Sequence, residues 1–263
     1  MALRRWFSGL SPLTLIVGSL GVIIFVPFTV RTFAYEAFKI PAPSMVPTLM
    51  VGDRIFVSKS AYGFFEHRVP ARGDVIVFRF PEHPDQDFVK RVVGLPGDEI
   101  VVKGVAVYIN GWKVPSCTAG RARLGLAAAP HDGEIDVEFI DEKAFLVFHD
   151  EAMGPKGFDG VQGPYQVAPR EVFVFGDSRE NSYDSRLWFE GRGGGVPIEN
   201  IKGRASIVWM SFDPNGVVGS RIGMKIGETP VCPEGFPPAT RAGLARCLAN
   251  RPSRDASTPP NHR

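Results

Sequence analysis

The 263-residue chain is poor in cysteine, in helical periodicity and in excess charge of either sign. Three cysteines are too few for a small scaffold held together by disulfides. The 30 Lys and Arg residues are nearly balanced by 28 Asp and Glu, and a net charge of +2 gives no electrostatic footprint for nucleic acid. The five histidines show neither pairing nor metal-ligand spacing. We therefore expect no metal, no cofactor and no nucleic-acid partner.

Long apolar runs are equally scarce, because a single one occurs near the N-terminus and no second run of that length follows. Residues 6–30 carry no charge, and roughly 20 apolar residues cross the hydrocarbon core as a helix. We predict a short cytoplasmic N-terminus at 1–11 and one transmembrane helix at 12–32. A cleaved signal peptide is the alternative, since Arg4 and Arg5 form a basic start, but the run exceeds the usual ~7–15 apolar residues.

The remaining chain alternates strand-like runs with turn signals and contains few stretches with a helical period. This pattern predicts a mostly β fold of antiparallel strands joined by long connections. We assign a β core to 33–103 and 171–227, and an inserted β subdomain to 104–170. The strand-like runs are 53–58, 75–80, 88–93, 99–103, 105–114, 144–148, 171–175 and 205–212.

Three connecting or terminal segments have a distinctive composition. Asn110-Gly111 is a strong signal for a two-residue hairpin, because both turn residues need a positive φ. Residues 116–133 are predicted to be irregular. Residues 228–263 carry seven prolines and are predicted to be a largely disordered tail, apart from a short helix at 239–250.

The pairing of the three cysteines is left open by the sequence. Cys232 and Cys247 lie fifteen residues apart in the tail, and they form a disulfide in one interpretation if this part of the chain is outside the cytoplasm. In the alternative all three thiols are free. Cys117 stands alone in the middle region and remains free or pairs between molecules.

A serine surrounded by prolines follows the apolar run. Ser44 lies in the segment PAPSMVPTL at 41–49. Proline restricts its own φ and the residue before it, so this segment is predicted to be stiff and extended. Such a segment presents the Ser44 hydroxyl on a fixed backbone. The alternative is a rigid tether between anchor and domain.

A lysine lies inside the strand-like run FVKRVV. Alternate residues of a strand share a face, so Lys90 points with Phe88 and Val92, while Arg91 points the other way. Desolvation on an apolar face favours the neutral amine, and a neutral lysine near a serine is a general base. The alternative is a charged lysine on a solvated or edge strand.

A dense polar cluster follows the strand-like run EVFVF. Residues 176–186, GDSRENSYDSR, contain three serines, two aspartates, two arginines, a glutamate and an asparagine. Alternating Asp and Arg after a buried strand suit a hydrogen-bonded network that holds a site rigid. A solvated loop is the alternative.

Taken in order, these segments resemble bacterial signal peptidase I, the membrane-bound leader peptidase with a Ser/Lys dyad. The likeness covers roughly residues 10–227, and its specificity comes from the order of several boxes. The matching segments are SMVPTL at 44–49 (nucleophile box), RGDVIVF at 72–78, KRVVGLPGD at 90–98 (base box), GDSRENSYDSR at 176–186, and WMSFD at 209–213 with SRIG at 220–223.

The resemblance implies a role for each matching residue. It makes Ser44 the acylated nucleophile and Lys90 the general base, with Ser182 hydrogen-bonded to the lysine amine to orient it. The backbone N–H of Ser44 would be one oxyanion donor. Structural ion pairs behind the site would involve Arg91, Asp177, Asp184 and Arg186. The substrate pocket would be lined by Ile40, Pro41, Phe88 and Val89.

The resemblance also implies a substrate and a location. Family substrates are secretory preproteins with small residues at the first and third positions before the cut, usually Ala-x-Ala. The phospholipid bilayer and a nearby secretion translocon are the other implied partners. The implied location is the bacterial inner membrane, with a single span and the catalytic domain on the periplasmic side.

The chain departs from the family pattern at four positions. Many Gram-negative members carry a serine two positions before the nucleophile, and its hydroxyl completes the oxyanion hole. Here that position is Ala42, so the second donor is unidentified. Pro43 stands where glycine is common, Ser178 where asparagine is common, and Glu180 where aspartate is common.

Three other functions remain open. A related Ser/Lys peptidase dedicated to one system, such as the maturation of a conjugation pilin, tends to be shorter. A catalytically dead, membrane-tethered β module would bind peptides, but the intact Ser44, Lys90 and Ser182 argue against it. A self-cleaving Ser/Lys repressor would need a DNA-binding helix-turn-helix, whereas this sequence starts with an apolar run.

Overall fold

The computed structural model describes Ser19 and residues 35–63, 67–126, 129–153 and 160–260. No helix within these residues is both long and apolar enough to cross a bilayer. The membrane helix predicted at 12–32 lies outside them, apart from Ser19, and so does the N-terminus at 1–11.

In the described ranges the chain is mostly antiparallel β structure, with two helices near the C-terminus. The strands are β1 Tyr35–Lys39, β2 Asp53–Ser58, β3 Val75–Arg79, β4 Asp87–Gly94, β5 Glu99–Lys103, β6 Ala106–Ile109, β7 Trp112–Lys113, β8 Ser116–Leu126, β9 Ala129–Ile140, β10 Lys143–Asp150, β11 Val161–Gln166, β12 Glu171–Phe175, β13 Val196–Pro197, β14 Ile201–Asp213 and β15 Gly216–Val217. The helices are α1 Pro238–Ala249 and α2 Arg254–Ser257. Short 3₁₀ turns occur at Pro43–Met45, Lys59–Tyr62, Ile198–Asn200 and Gly219–Arg221.

The main sheet has eight strands in the order β1-β2-β14-β3-β4-β12-β13, with β15 paired to β14. Its central strand β3 is buried on both faces. Val75 and Val77 pack into one hydrophobic cluster, and Ile76 and Phe78 pack into another. A continuous apolar run is typical of a strand covered on both sides. The neighbouring strand β4 therefore carries Lys90 into the interior of the protein.

Two smaller sheets, ordered β10-β9-β8 and β11-β5-β6-β7, are built from residues 99–166. The first of them supports the polar segment after β12. Phe148 N donates to Asp177 O at 2.8 Å, and Arg179 N donates to Phe148 O at 3.0 Å. The division of the chain into a core and an inserted subdomain at 104–170 stays a prediction.

The predicted strands are confirmed at nearly every position. The runs at 53–58 and 171–175 match β2 and β12 residue for residue. Asn110 and Gly111 have φ values of 53° and 77° in the β6–β7 hairpin, as the turn requires. Alternation and turn chemistry therefore identify these strands without tertiary information.

The prediction of an irregular segment at 116–133 is wrong. β8 and β9 pair through this region as the two arms of a long antiparallel hairpin. The inward-facing residues of β8 include the small side chains Ala119 and Ala122, together with Leu124. Small residues in a strand weaken the hydrophobic alternation by which strands are recognised.

The prediction of a largely disordered tail is also wrong for the described residues, although the short helix expected at 239–250 is confirmed as α1. Leu244 and Cys247 of α1 belong to the hydrophobic cluster that β8 and β9 build. Farther on, Asp141 N donates to Ser257 O at 2.6 Å. A proline-rich segment gains order here because the folded sheet covers its few apolar residues.

The cysteine pairing in the structure is neither the Cys232–Cys247 disulfide nor the set of three free thiols that the sequence left open. Cys117 of β8 forms a disulfide with Cys247 of α1, across 130 residues of sequence, and Cys232 is free. Packing of the helix on the strand brings the two Cα atoms to 5.7 Å, which is a normal separation for a disulfide. A pairing of Cys232 with Cys247 is therefore wrong.

Removing this disulfide should destabilise the folded chain. We expect Cys247→Ser to lower the free energy of unfolding by about 2–4 kcal/mol, because the crosslink closes a long loop in the unfolded chain. Denaturant titration of the oxidised protein measures the change, and Cys232→Ser is the matched control with no expected effect. Equal stability of Cys247→Ser and the native chain would contradict the pairing.

Candidate active site

Ser44 and Lys90 meet although 46 residues separate them in the sequence. Lys90 Nζ lies 2.6 Å from Ser44 Oγ. Lys90 comes from the middle of β4, and Ser44 from the 3₁₀ turn Pro43–Met45 that follows β1. The distance is within hydrogen-bonding range, so a proton can pass directly between the two atoms.

Lys90 is buried, with 4% of its surface exposed, and its Nζ lies 5.4 Å from the centre of the Phe88 ring. Burial lowers the pKa of Lys90 to about 8, although the negative charges of Asp184 and Asp177 act in the opposite direction. At that pKa about one lysine in ten is neutral at pH 7, against about one in several thousand for an exposed lysine. The direction predicted from the strand position is confirmed.

Ser44 is presented by a turn rather than by an extended segment. The turn Pro43–Met45 is closed by a hydrogen bond from Val46 N to Pro43 O at 3.0 Å. Ala42 and Val46, which each precede a proline, keep the extended backbone that the proline imposes. Pro43 begins the turn, where a missing N–H costs nothing. The predicted extended conformation is therefore wrong only within the turn itself.

The polar loop 176–186 packs against the backbone of the serine. Ser178 N donates to Ser44 O at 3.1 Å, and Gly176 N donates to Asp184 Oδ2 at 2.9 Å. A Cβ built on Gly176 would lie 2.5 Å from Ser44 O, closer than real Cβ contacts come. The end of β12 can therefore approach the nucleophile only because residue 176 is glycine.

Two buried ion pairs lie within and behind this loop. Arg91 Nε and Nη2 donate to Asp177 at 2.8 and 2.6 Å, and Arg186 Nε donates to Asp184 at 2.8 Å. Burial alone would raise the pKa of Asp184, but Arg186 and the hydrogen bonds to its carboxylate hold that pKa below the ordinary value. The four residues predicted as structural ion pairs are thus brought together in pairs.

Ser182 lies beside Gly176 and lines the same cavity as Lys90. Its buried Oγ makes no well-formed hydrogen bond within the described residues, although its interaction with Asp184 helps to lower the pKa of that carboxyl. The predicted hydrogen bond to the Lys90 amine is therefore not formed here. The orienting role of Ser182 stays a prediction.

A cavity of about 600 Å³ opens beside the two reactive side chains. The four residues predicted for the substrate pocket all line it. The lining also includes residues that the sequence analysis did not identify: Phe38, Asp87, Asn181, Tyr183 and Leu187. Of these, Phe38 could have been found, because it lies two positions before Ile40 at the end of one strand.

A carboxylate from the three-stranded sheet was also missed. Glu138 of β9 accepts from Arg179 Nη1 and Nη2 at 2.6 and 2.5 Å, and both side chains are buried. In the sequence IDVEFI this glutamate alternates with apolar residues and resembles a solvent-facing position. Only in the folded chain does the loop 176–186 lie over that face.

Within the described residues, no three His, Cys, Asp or Glu side chains are arranged to hold a metal ion.

Comparison with known proteins identifies the family. The family model described as "Signal peptidase, peptidase S26" matches residues 13–210. Proteins named signal peptidase I from Pseudomonas fluorescens and Pseudomonas aeruginosa are 37% and 36% identical over 206 and 210 residues, covering 72% and 73% of this chain and 70% and 71% of theirs. One from Buchnera aphidicola subsp. Schizaphis graminum is 33% identical over 259 residues, 79% of this chain and 80% of its own. The chain belongs to the signal peptidase family, peptidase S26.

Membership of the signal peptidase family makes the chain a serine endopeptidase. The resemblance seen in the ordered sequence boxes is confirmed. The match to the signal peptidase model includes Ser44, Lys90 and the loop 176–186, and it ends at 210. The tail therefore lies beyond the matched region, and the disulfide joins it to Cys117 inside that region.

For a signal peptidase with this lysine as its base, the rate should rise with pH. Only neutral Lys90 accepts the Ser44 proton, and its neutral fraction grows about tenfold per pH unit below the pKa. We expect kcat/KM for a preprotein peptide to increase about tenfold from pH 6 to pH 7 and to level off above a pH of about 8. Steady-state assays across this range measure the profile. A flat profile would contradict the base assignment.

Proposed function

We propose that this chain is a membrane-anchored signal peptidase I that removes signal peptides from secretory preproteins, cutting after Ala-x-Ala through Ser44 and Lys90. The observation that carries the proposal is the distance of 2.6 Å between Lys90 Nζ and Ser44 Oγ at a cavity lined mostly by apolar residues. No cofactor takes part in this scheme.

Acylation begins with a proton transfer inside the dyad. Neutral Lys90 takes the proton from Ser44 Oγ as this oxygen attacks the carbonyl carbon of the residue before the cut. Negative charge develops on the former carbonyl oxygen, where the backbone N–H of Ser44 donates a hydrogen bond to it. Protonated Lys90 then gives its proton to the leaving amine, the C–N bond breaks, and the signal peptide remains as an ester on Ser44.

Deacylation reverses the roles with water as the nucleophile. Lys90, neutral again, accepts a proton from water as the water oxygen attacks the ester carbon. The ester bond breaks and the proton on Lys90 passes to Ser44 Oγ. The signal peptide leaves as a carboxylic acid, which loses the second proton of the water to the solvent and becomes a carboxylate. A pKa of about 8 suits an amine that must both accept and return a proton near neutral pH.

The surrounding residues hold the reactive groups in place. The ion pairs Arg91–Asp177 and Asp184–Arg186 fix the loop that contacts Ser44 O. Ser182, which lines the same cavity, is assigned to hydrogen-bond and orient the lysine amine. Ala42 is exposed and offers no side-chain donor, so the Ser44 N–H is the assigned oxyanion donor.

The remaining segments bring the enzyme to its substrates. The apolar run at 12–32 anchors the chain in the bacterial inner membrane, with residues 1–11 in the cytoplasm. The β core at 33–103 and 171–227 and the subdomain at 104–170 lie on the periplasmic side. Preproteins then arrive within the bilayer from the secretion translocon, close to the catalytic cavity.

Cleavage of several unrelated preproteins by the purified full chain in detergent tests the proposal, with Ser44→Ala as the inactive control. We expect each preprotein to be cut after its Ala-x-Ala site. Replacing the alanine before the cut with leucine should block processing, because the pocket that we assign to Ile40, Pro41, Phe88 and Val89 is expected to accept a methyl group and not a branched side chain. Cleavage of one preprotein alone would favour a dedicated peptidase, and cleavage of none would favour a peptide-binding module.

A further inference from the structure

Tyr183 is held at the catalytic cavity by two contacts. It follows Ser182 in the chain, lines the cavity, and has 47% of its surface exposed. Its hydroxyl donates to Glu82 Oε2 at 3.0 Å, in the connection between β3 and β4. Its ring meets the ring of Phe80 edge-on, at 6.0 Å between centroids and 77° between planes. An exposed side chain fixed at both its ring and its hydroxyl has a defined orientation.

Phe80 joins Tyr183 to the wall of the substrate pocket. It stacks on Phe88 at 4.4 Å with the two planes only 6° apart, and it lies 5.3 Å from the Trp188 ring. Phe88 lines the cavity and is the ring next to Lys90 Nζ. Tyr183 and Phe88 are therefore joined through the buried Phe80 ring in one packed aromatic cluster, and both line the cavity.

We propose that Tyr183 is a specificity-determining residue, which contacts the substrate side chain between the two small positions and favours an apolar group there. The inference rests on the proposed function. Side chains of an extended peptide alternate in direction. When the two small residues face the walls from β1 and β4, the residue between them faces the loop after β12, where Tyr183 and Leu187 lie.

The preference for an apolar side chain follows from the Tyr183 ring and from the hydrogen bond to Glu82 that holds it. A rigid aromatic face buries apolar surface of the peptide at a small cost in side-chain entropy. Glu82 is a positioning residue, because its carboxylate holds the phenol and does not itself reach the peptide in this arrangement. Removing the ring should therefore change the preference for one substrate residue and leave the chemical step intact.

Peptides with the site Ala-x-Ala test the proposal, with x as Ala, Leu, Phe or Glu and the full-length chain in detergent. We expect the native chain to cleave the Leu and Phe peptides with a higher kcat/KM than the Ala peptide. Tyr183→Ala should lose about tenfold in kcat/KM for Leu and Phe, through KM, with the Ala peptide nearly unchanged. Tyr183→Phe and Glu82→Gln keep the ring and should lose only part of the preference.

Tyr108→Ala is the matched control, because this tyrosine of β6 lies outside the cavity. If Tyr183→Ala fails to fold by circular dichroism, Tyr183→Ser carries the same comparison, because it also removes the ring. An identical dependence on x in the native chain and in the Tyr183 variants would overturn the inference. A native chain that cleaves none of the peptides would instead contradict the proposed function, so the two failures are distinguishable.

Discussion

Lys90→Ala is expected to lower kcat for preprotein cleavage by at least about 10⁴-fold, and Ser44→Ala to do the same. Lys90 Nζ is 2.6 Å from Ser44 Oγ, so each group depends on the other for the proton transfer. Because the two act as one unit, the double variant should be no slower than either single variant. Single-turnover acylation with a preprotein peptide measures the loss.

Lys90→Arg tests whether Lys90 acts as a general base or only supplies a positive charge. A guanidinium remains protonated at any pH that the enzyme experiences, so this variant should be as inactive as Lys90→Ala. Lys113→Ala is the matched control, because this lysine of β7 is exposed and does not line the cavity beside the dyad. Near-native cleavage by Lys90→Arg would show that Lys90 is not the general base.

Gly176→Ala is expected to lower kcat by about 10²-fold while the protein remains folded, because displacing a reactive group by about 1 Å has effects of that size. A Cβ at this position would lie 2.5 Å from Ser44 O and would also overlap Ser182. Since Ser44 O is a backbone atom, the turn that carries the nucleophile must shift. Its Oγ then moves away from Lys90 Nζ.

Gly219→Ala is the matched control for this substitution. A Cβ there meets no atom within 4 Å, and the residue does not need a positive φ. Both variants should show near-native circular dichroism, and only Gly176→Ala should show slow acylation. Full activity of Gly176→Ala would mean that the contact between the loop 176–186 and the nucleophile turn has no role in catalysis.

Most strands of the core could be predicted from local pattern alone. Runs such as DRIFVS and EVFVF combine β-branched or aromatic residues with turn signals on both sides, and they match β2 and β12. β8 and β9 were missed because the inward-facing positions of β8 hold alanines, which give little hydrophobic contrast with their neighbours.

The chemistry of the reactive pair was equally accessible to sequence reasoning. A lysine between apolar residues of a strand must lose its charge or find a partner, and Lys90 lies in the middle of β4 with its pKa lowered by burial. The residues around the pair were less accessible. Glu138 contacts the loop 176–186 from a segment whose spacing from Ser44 and Lys90 carries no information about contact. Tyr183 lies within the matched loop, but its position in the sequence does not reveal that its ring packs on Phe80.

The amino-acid order was sufficient for features that depend on neighbours in the chain: strand periodicity, the Asn110-Gly111 turn, and the reactive types at 44 and 90. Long-range pairing needed the folded molecule. The disulfide joins Cys117 to Cys247 because α1 packs on β8, and no spacing rule relates positions 130 residues apart. The order of the tail has the same origin, since hydrophobic burial depends on which surface is available and not on the composition of the segment that uses it.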